Sequence, residues 1–421
     1  MGMSEFCMAV LVALSHGSVS SAGQAPATVE SLVAEAVKSN PTIVAAKQKV
    51  AEAESHLAEM QGHRKLQLAL TGSASGSTGQ VAQPVSNQSF ATVAASLVAP
   101  VPNFARSSAE ADQAAANVDV VRVQLYRALL DVRFRTTSAI FELRRAEDAA
   151  VIAQQNLDQA VRQADDTKTR ISHGDLPAAD LLKAQVPVAQ NRAALTRATA
   201  ESRIARQNLN DLLQRDLNAP VSINERDFAI EAPKAPADAV VIALRQGVDV
   251  AEADAAVRAA EANERIVRRV RDPDFGFQLT HTRTGDPTAY SYLSSLALTV
   301  SLPLADGGVA REQARQARLQ TDQARTALKL AQQHTRVAVE QAMLNVETDK
   351  ANAEATAETE SIARDSLEKS RQAFAAGLTT TRDVLDAQLV YSQARIEANA
   401  ARYDYAIAQA HLRQLIGGGP A

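Results

Sequence analysis

Asp383 and Asp386 are the residues whose types and spacing best suit chemistry. They stand three apart at an expected helix start, so both carboxylates share one face. Two acids so placed attract cations, and like charges at close range raise one another's pKa. A second use is open to them. Acids in a first turn complement the helix N-terminus, with Thr380 as cap and Asp383 at the third position. A related segment earlier in the chain has Asp180 and Lys183 at the matching positions, so its charges differ. Nothing else reads as a reaction centre. The seven histidines are dispersed, and no HExxH, GxSxG or phosphate-binding loop occurs. The single cysteine, Cys7, excludes an internal disulfide and any cysteine-based zinc cluster. The sequence predicts no enzyme, no cofactor and no metal site.

The elements that position these acids come in two copies. The run Gly174-Asp175-Leu176 through Asp180, Leu181, Ala184 and Gln185 corresponds to Gly377-Leu378 through Asp383, Val384, Ala387 and Gln388 at an offset of 203 residues. Pro100 and Pro303 share that offset, as do Leu212 and Leu415. Ala36-Val37-Lys38 corresponds to Ala243-Leu244-Arg245 at an offset of 207, which implies a short insertion in the first copy. Ordered matches along the whole length mean duplication. The expected division is repeat 1 over 26–217, a linker over 218–238 and repeat 2 over 239–421.

Each repeat reads as helix, strand, strand, long helix, helix. The first helices are expected over 29–60 and 237–270. In repeat 2, Phe275, Phe277 and Leu279 alternate with small and polar residues, and so do Tyr290, Tyr292, Leu296, Leu298 and Val300. That is the period of two-faced strands, expected over 274–283 and 289–302. The matching strands of repeat 1 are expected over 65–76 and 89–99, with a Gly/Ser/Gln-rich loop between them. Long helices over 105–172 and 309–375 end at Gly174 and Gly377, since glycine suits the residue just past a helix. Final helices follow over 177–213 and 380–415, and Pro187 is expected to kink the first.

The lengths imply a rod. A 67-residue helix is roughly 100 Å long at 1.5 Å per residue, so it can pack against two shorter helices stacked end to end. Four strands cannot close a barrel, and lipid does not tolerate an open sheet edge. Several chains must therefore share their strands, and three would enclose a pore.

Composition agrees. Aromatics are 4% and Trp is absent, while Ala dominates the 46% hydrophobic fraction, so thin helical packing fits better than thick cores. A net charge of −4 offers no basic field for nucleic acid. Residues 1–25 combine an apolar run with a small-residue stretch and read as a secretory signal peptide, though without a basic start.

Over nearly its whole length after the leader, the chain resembles the TolC-like outer membrane efflux protein family. Ala36-Val37-Lys38-Ser39-Asn40-Pro41 is similar to that family's opening motif, and Gly377 through Ala387, continuing into Ala401-Arg402-Tyr403-Asp404-Tyr405, is the strongest match. The resemblance implies a mainly α chain with a membrane β-barrel portion. Three copies would form a twelve-stranded barrel in the outer membrane of a Gram-negative bacterium, continued by an α-helical barrel through the periplasm. It implies a passive export duct of a tripartite efflux or type I secretion system, with a periplasmic adaptor and an inner-membrane transporter as partners. Asp383 and Asp386 then match the acidic periplasmic gate, supported by Asp180, Lys183 and Arg382; threefold symmetry would gather six carboxylates there. The family often has Arg two residues after the turn glycine, where this chain has Thr379. Gly174, Leu176, Gly377 and Leu378 match adaptor-docking turns, or serve as ordinary helix turns. Phe90, Phe275, Phe277, Tyr290 and Tyr292 suit an aromatic band facing outer-membrane lipid, or a soluble sheet. The competing function is a soluble periplasmic helical-hairpin adaptor or scaffold.

Overall fold

The structure is a computed structural model that describes residues 28–65, 69–81, 86–101, 104–173, 177–223, 238–286 and 289–417. The elements run α1 (Val29–Ser39), α2 (Pro41–Gly62), β1 (Ala69–Val81), β2 (Ser86–Val101), α3 (Phe104–Ser172) and α4 (Ala179–Leu213). The same order then recurs as α5 (Ala239–Gln246), α6 (Val248–Arg268), β3 (Asp274–Asp286), β4 (Ala289–Ser301), α7 (Val309–Ala375) and α8 (Thr381–Ile416). The proposed leader, and residues 224–237 of the proposed linker, lie outside the described residues.

The helices form two tiers along the long pair. In one tier the neighbours run α2, α3, α6, α7; in the other they run α4, α3, α8, α7. Thus α3 is the spine of both tiers and α7 is a lateral edge of both. Stacked short helices meet between the tiers. Ser39 of α1 donates to the Leu213 carbonyl at the end of α4 (3.1 Å), and Arg215 Nε donates to Glu35 (2.6 Å). The main core sits at this junction: Leu32, Ile43, Ile140, Leu143, Leu209, Leu213 and Tyr403. Most other buried apolar positions are Ala, which lets helices approach closely.

Each expected first helix is in fact two. Asn40, between α1 and α2, has φ −65° and ψ 125°; Gly247, between α5 and α6, has φ −63° and ψ 136°. Asn40 caps α2 by accepting from the Thr42 N–H (2.9 Å), and Pro41 fills the first helical position, where no N–H is needed. At Gly247 a Cβ would sit 2.3 Å from the Ala243 carbonyl oxygen, so only glycine fits this break. Pro187 does not divide its helix: α4 continues through it.

The four strands form one antiparallel sheet in the order β1-β2-β3-β4. Most of the segment expected as a loop is strand, since β1 runs to Val81 and β2 starts at Ser86, with pairing up to Val81↔Ser86. The backbone ladder with β2 satisfies donors and acceptors that a Gly/Ser-rich loop would leave to water.

Candidate functional site: the α7–α8 tip and the two-faced sheet

The tip is built by local backbone chemistry. Gly377 has φ +74°, a left-handed conformation that favours glycine. Its N–H donates to the Phe374 carbonyl (3.0 Å) and the Leu378 N–H to the Ala373 carbonyl (2.9 Å), which closes α7 with a paired Schellman turn. Leu378 is then 79% exposed. Thr380 starts α8. Asp383 Oδ2 accepts from the Thr380 N–H (2.8 Å) and hydroxyl (2.7 Å), while the Asp383 N–H donates back to Thr380 Oγ1 (3.4 Å). This reciprocal box satisfies helix-end donors.

Those bonds set the charge. The Thr380 hydroxyl and then its N–H hold the Asp383 carboxyl below the usual carboxylate range. Val384 points into the packed side while Asp383 and Asp386 both face out. Asp386 lies 3.8 Å from Arg382 Nε, a solvent-exposed pair of little energetic weight. At the other tip Lys183 donates to Asp180 at 2.9 Å, so one charge of each sign meets there. Gly174 and Leu176 lie outside the described residues. The capping role of Asp383 is therefore present in one chain, and the outward face it shares with Asp386 is also present. Arg382 is the basic residue nearest these acids in sequence.

The sheet has two unlike faces. Phe275, Phe277 and Leu279 lie opposite Val300, Leu298 and Leu296 on β4, and opposite Val101, Ala99 and Leu97 on β2. These register positions make one apolar face, and Leu298 on it is 70% exposed. The other face carries Gln278, Thr280 and Thr282 across from Ala297, Ser295 and Leu293. Tyr290 and Tyr292 take register positions on the apolar face, opposite Gly285 and Arg283. Phe90 does not join them. It pairs with Ser77, and its neighbour in parity, Thr92, pairs with Thr284, so its register position is on the polar face. Parity within β2 was readable, but the relation of β2 to β3 depends on cross-strand register.

Elsewhere, a groove of about 490 Å³ is lined by residues including Asp112, Asp119, Arg122, Arg258 and Glu261. Its charges are engaged by neighbours: Arg122 donates to Glu54 (2.7 Å) and Arg325 to Glu261 (2.8 Å). Among the described residues no group of three His, Cys, Asp or Glu could hold a metal ion, and no helix is long and apolar enough to cross a membrane. Sequence reasoning named Tyr403 within the family match but gave it no role. Its hydroxyl donates to Asp148 (2.7 Å), tying α8 to α3. Sequence reasoning passed over Leu330, Val337 and Leu344, exposed on α7 at seven-residue spacing. That heptad was legible as a seam signal.

A two-tiered rod of long helices carrying a sheet with one exposed apolar face is the architecture of an outer membrane channel protein. Residues 32–214 and 239–418 match the outer membrane efflux protein family, and the chain belongs to that family. Among its relatives is the outer membrane efflux protein BepC of Brucella suis, 23% identical over 288 residues, which are 68% of this chain and 62% of BepC. The alignment thus spans somewhat under two thirds of that relative's length. The fold is that of the CusC structure (TM-score 0.82, 18% identity, 93% of this chain and 92% of CusC). It is shared with the open state of the MtrE outer membrane channel of Neisseria gonorrhoeae (TM-score 0.80, 19% identity, 93% and 89%). It is shared too with VceC of Vibrio cholerae (TM-score 0.76, 17% identity, 93% and 96%).

Proposed function

We propose that this chain is one third of a passive export duct in the outer membrane, serving a tripartite efflux or type I secretion system. The carrying observation is the sheet: the apolar face of β3 and β4 is exposed, and the outer edges on β1 and β4 have no partner strand among the described residues. Lipid accepts the apolar face but not the open edges. Three copies joined β4 to β1 give twelve strands, enough for a pore with its Ser/Thr face inside. Rows of Phe277 and Tyr292 lie six residues apart on the β4 register, about 20 Å along the strand, close to the apolar band of a membrane barrel. Phe275 and Tyr290 widen those two girdles, and Phe90 stands apart from them.

The helices continue the duct into the periplasm. The α7 edge of one copy seats against the α2 and α4 edge of the next, a head-to-tail contact that closes as a ring. The duplicated repeats supply both halves of each protomer, after removal of a leader over 1–25. The tips at Gly377 and Leu378, and at Gly174 and Leu176, receive a periplasmic adaptor. An inner-membrane transporter supplies the energy, and the duct itself performs no catalysis. Three copies of Asp383 and Asp386 narrow the periplasmic mouth, with Asp180, Lys183 and Arg382 around them. The soluble-adaptor reading is not favoured, because water would meet the exposed apolar face of β3 and β4.

Fractionation and conductance test this. A heat-resistant, detergent-extracted trimer in the outer membrane fraction is expected, and a soluble periplasmic monomer would refute the duct. In planar bilayers, Asp383→Ala with Asp386→Ala is expected to raise conductance and weaken block by multivalent cations. Unchanged conductance and block would remove the gate assignment. A photo-crosslinker at position 378 is expected to capture a co-expressed adaptor.

A further inference from the structure

Across the four strands the sequence places a single Lys or Arg, Arg283. Its register partners are Val93 of β2 and Tyr292 of β4, so it sits on the apolar face with Phe277, Leu279 and Leu296. Both flanking strands belong to the same chain, so no neighbouring copy lies beside it in the sheet. Its guanidinium carbon is 5.6 Å from the centroid of the Tyr292 ring. On that ring His281 also stacks, with centroids 6.0 Å apart and planes at 28°, and His281 Nδ1 is 3.0 Å from Ser294 Oγ. An otherwise apolar face thus gathers one cation, one imidazole and one phenol ring at a single level.

That level is defined. Arg283 stands three residues before Asp286, the last paired residue of β3, or about 10 Å along the strand from the turn end. The apolar rows from Phe275 to Leu279 lie on the helix side of it. A charge on the lipid-facing side of a barrel is costly at mid-bilayer and nearly free at the interface. Given the duct reading, on which this inference rests, Arg283 lies at headgroup depth in the leaflet far from the helices. The abundant anion there is a lipid phosphate. A guanidinium has five N–H donors in a planar fork that matches phosphate oxygens. The Tyr292 face steadies that plane by cation–π attraction.

We infer that Arg283, braced by Tyr292 with His281 beside it, binds the phosphate of an outer-leaflet lipid headgroup, one site per protomer. No bond is made or broken. The site orients the barrel in its membrane and holds an annular lipid at a fixed place.

Native mass spectrometry of the full-length trimer in dodecyl maltoside tests this, titrated with dioleoyl phosphatidylglycerol and, separately, with dioleoylglycerol, which has the same chains and no phosphate. Wild type should bind the phosphatidylglycerol more tightly, and Arg283→Gln should weaken it by about tenfold, as expected for losing a charge-assisted contact. Arg283→Lys should lose part of that, and Arg311→Gln, at the start of α7, none. Equal binding by wild type and Arg283→Gln would overturn the proposal, as would equal binding of the two lipids. Inorganic phosphate protecting the trimer as well as the lipid does would assign the site to a free anion instead and overturn the lipid claim. Vesicle flotation of the same variants separates the two readings. Failure to insert overturns the duct itself, whereas insertion with unchanged lipid binding overturns this inference alone.

Discussion

The two long helices have nearly the same length, 69 residues in α3 and 67 in α7, and opposite surroundings. The first is enclosed by α1, α2, α4, α6 and α8, and buries Val118, Leu130, Ile140, Leu143 and Ile152. The second packs against α5, α6 and α8 and leaves Leu330, Val337 and Leu344 outside. Leu344 is 62% exposed. Equal elements therefore serve different equilibria. Interactions of α3 stabilise the chain itself, while the outer side of α7 awaits another surface. In the proposed duct that surface is the α2 and α4 edge of the next copy.

The comparison is broken most directly on α7. Val337→Asp with Leu344→Asp should abolish the trimer while leaving helical content unchanged, read by light scattering in detergent and by circular dichroism. Two buried carboxylates without partners are too costly for a seam to keep. A persisting trimer would show that α7 is not the seam. On α3, Leu143→Ala should cost about 2–5 kcal/mol of chain stability in denaturant titration, because it empties a fully buried site. Leu344→Ala should change the dissociated chain by no more than about 0.5 kcal/mol. Equal costs would erase the distinction between spine and edge.

Smaller effects sharpen it. Tyr403, 1% exposed, ties α8 to α3, and Tyr403→Phe should cost about 1 kcal/mol by losing its bond to Asp148. Burial, and then the Asp148 bond, push the Tyr403 phenol up to about 12. A raised folded-state value stabilises fully below the unfolded value near 10, and that part is lost as pH rises through about 12. The phenylalanine variant should lack this portion of the alkaline decline in melting temperature. The smallest effect is expected at the start of α7. Asp306 accepts from the N–H groups of Ala310 (2.9 Å) and Gly308 (3.0 Å) and from Arg271 (2.7 Å). The Ala310 N–H and then Arg271 lower its carboxyl to about 2. A lowered value gives stability that is present above the unfolded value near 4 and lost as pH falls through about 2. Asp306→Asn should flatten that acid limb of the melting curve; an unchanged limb would remove the Asp306 carboxylate as an anchor of the α7 start.

Much of the tip was legible because its chemistry is local. Gly377 and the Thr380–Asp383 box lie within a few residues of their partners, so types and spacing suffice. The alternation of β3 and β4 was legible for the same reason. Phe90 was not, because its face depends on pairing with Ser77 and on the neighbouring ladder to β3. Nor were the breaks at Asn40 and Gly247, since their surroundings read as uninterrupted helix and the close approach at Gly247 is a three-dimensional fact.

By itself the sequence determined the order of helices and strands, the lengths that make a rod, the alternation of β3 and β4 and the capped turn that presents Asp383 and Asp386. These follow from period, propensity and nearest-neighbour hydrogen bonds. Tertiary structure alone decided that α3 is enclosed and α7 open, that Tyr403 reaches Asp148, and that Arg283 stands beside Tyr292 on the apolar face. Those relations join residues from 9 positions apart, Arg283 and Tyr292, to 255, Tyr403 and Asp148, and only packing and register bring them together.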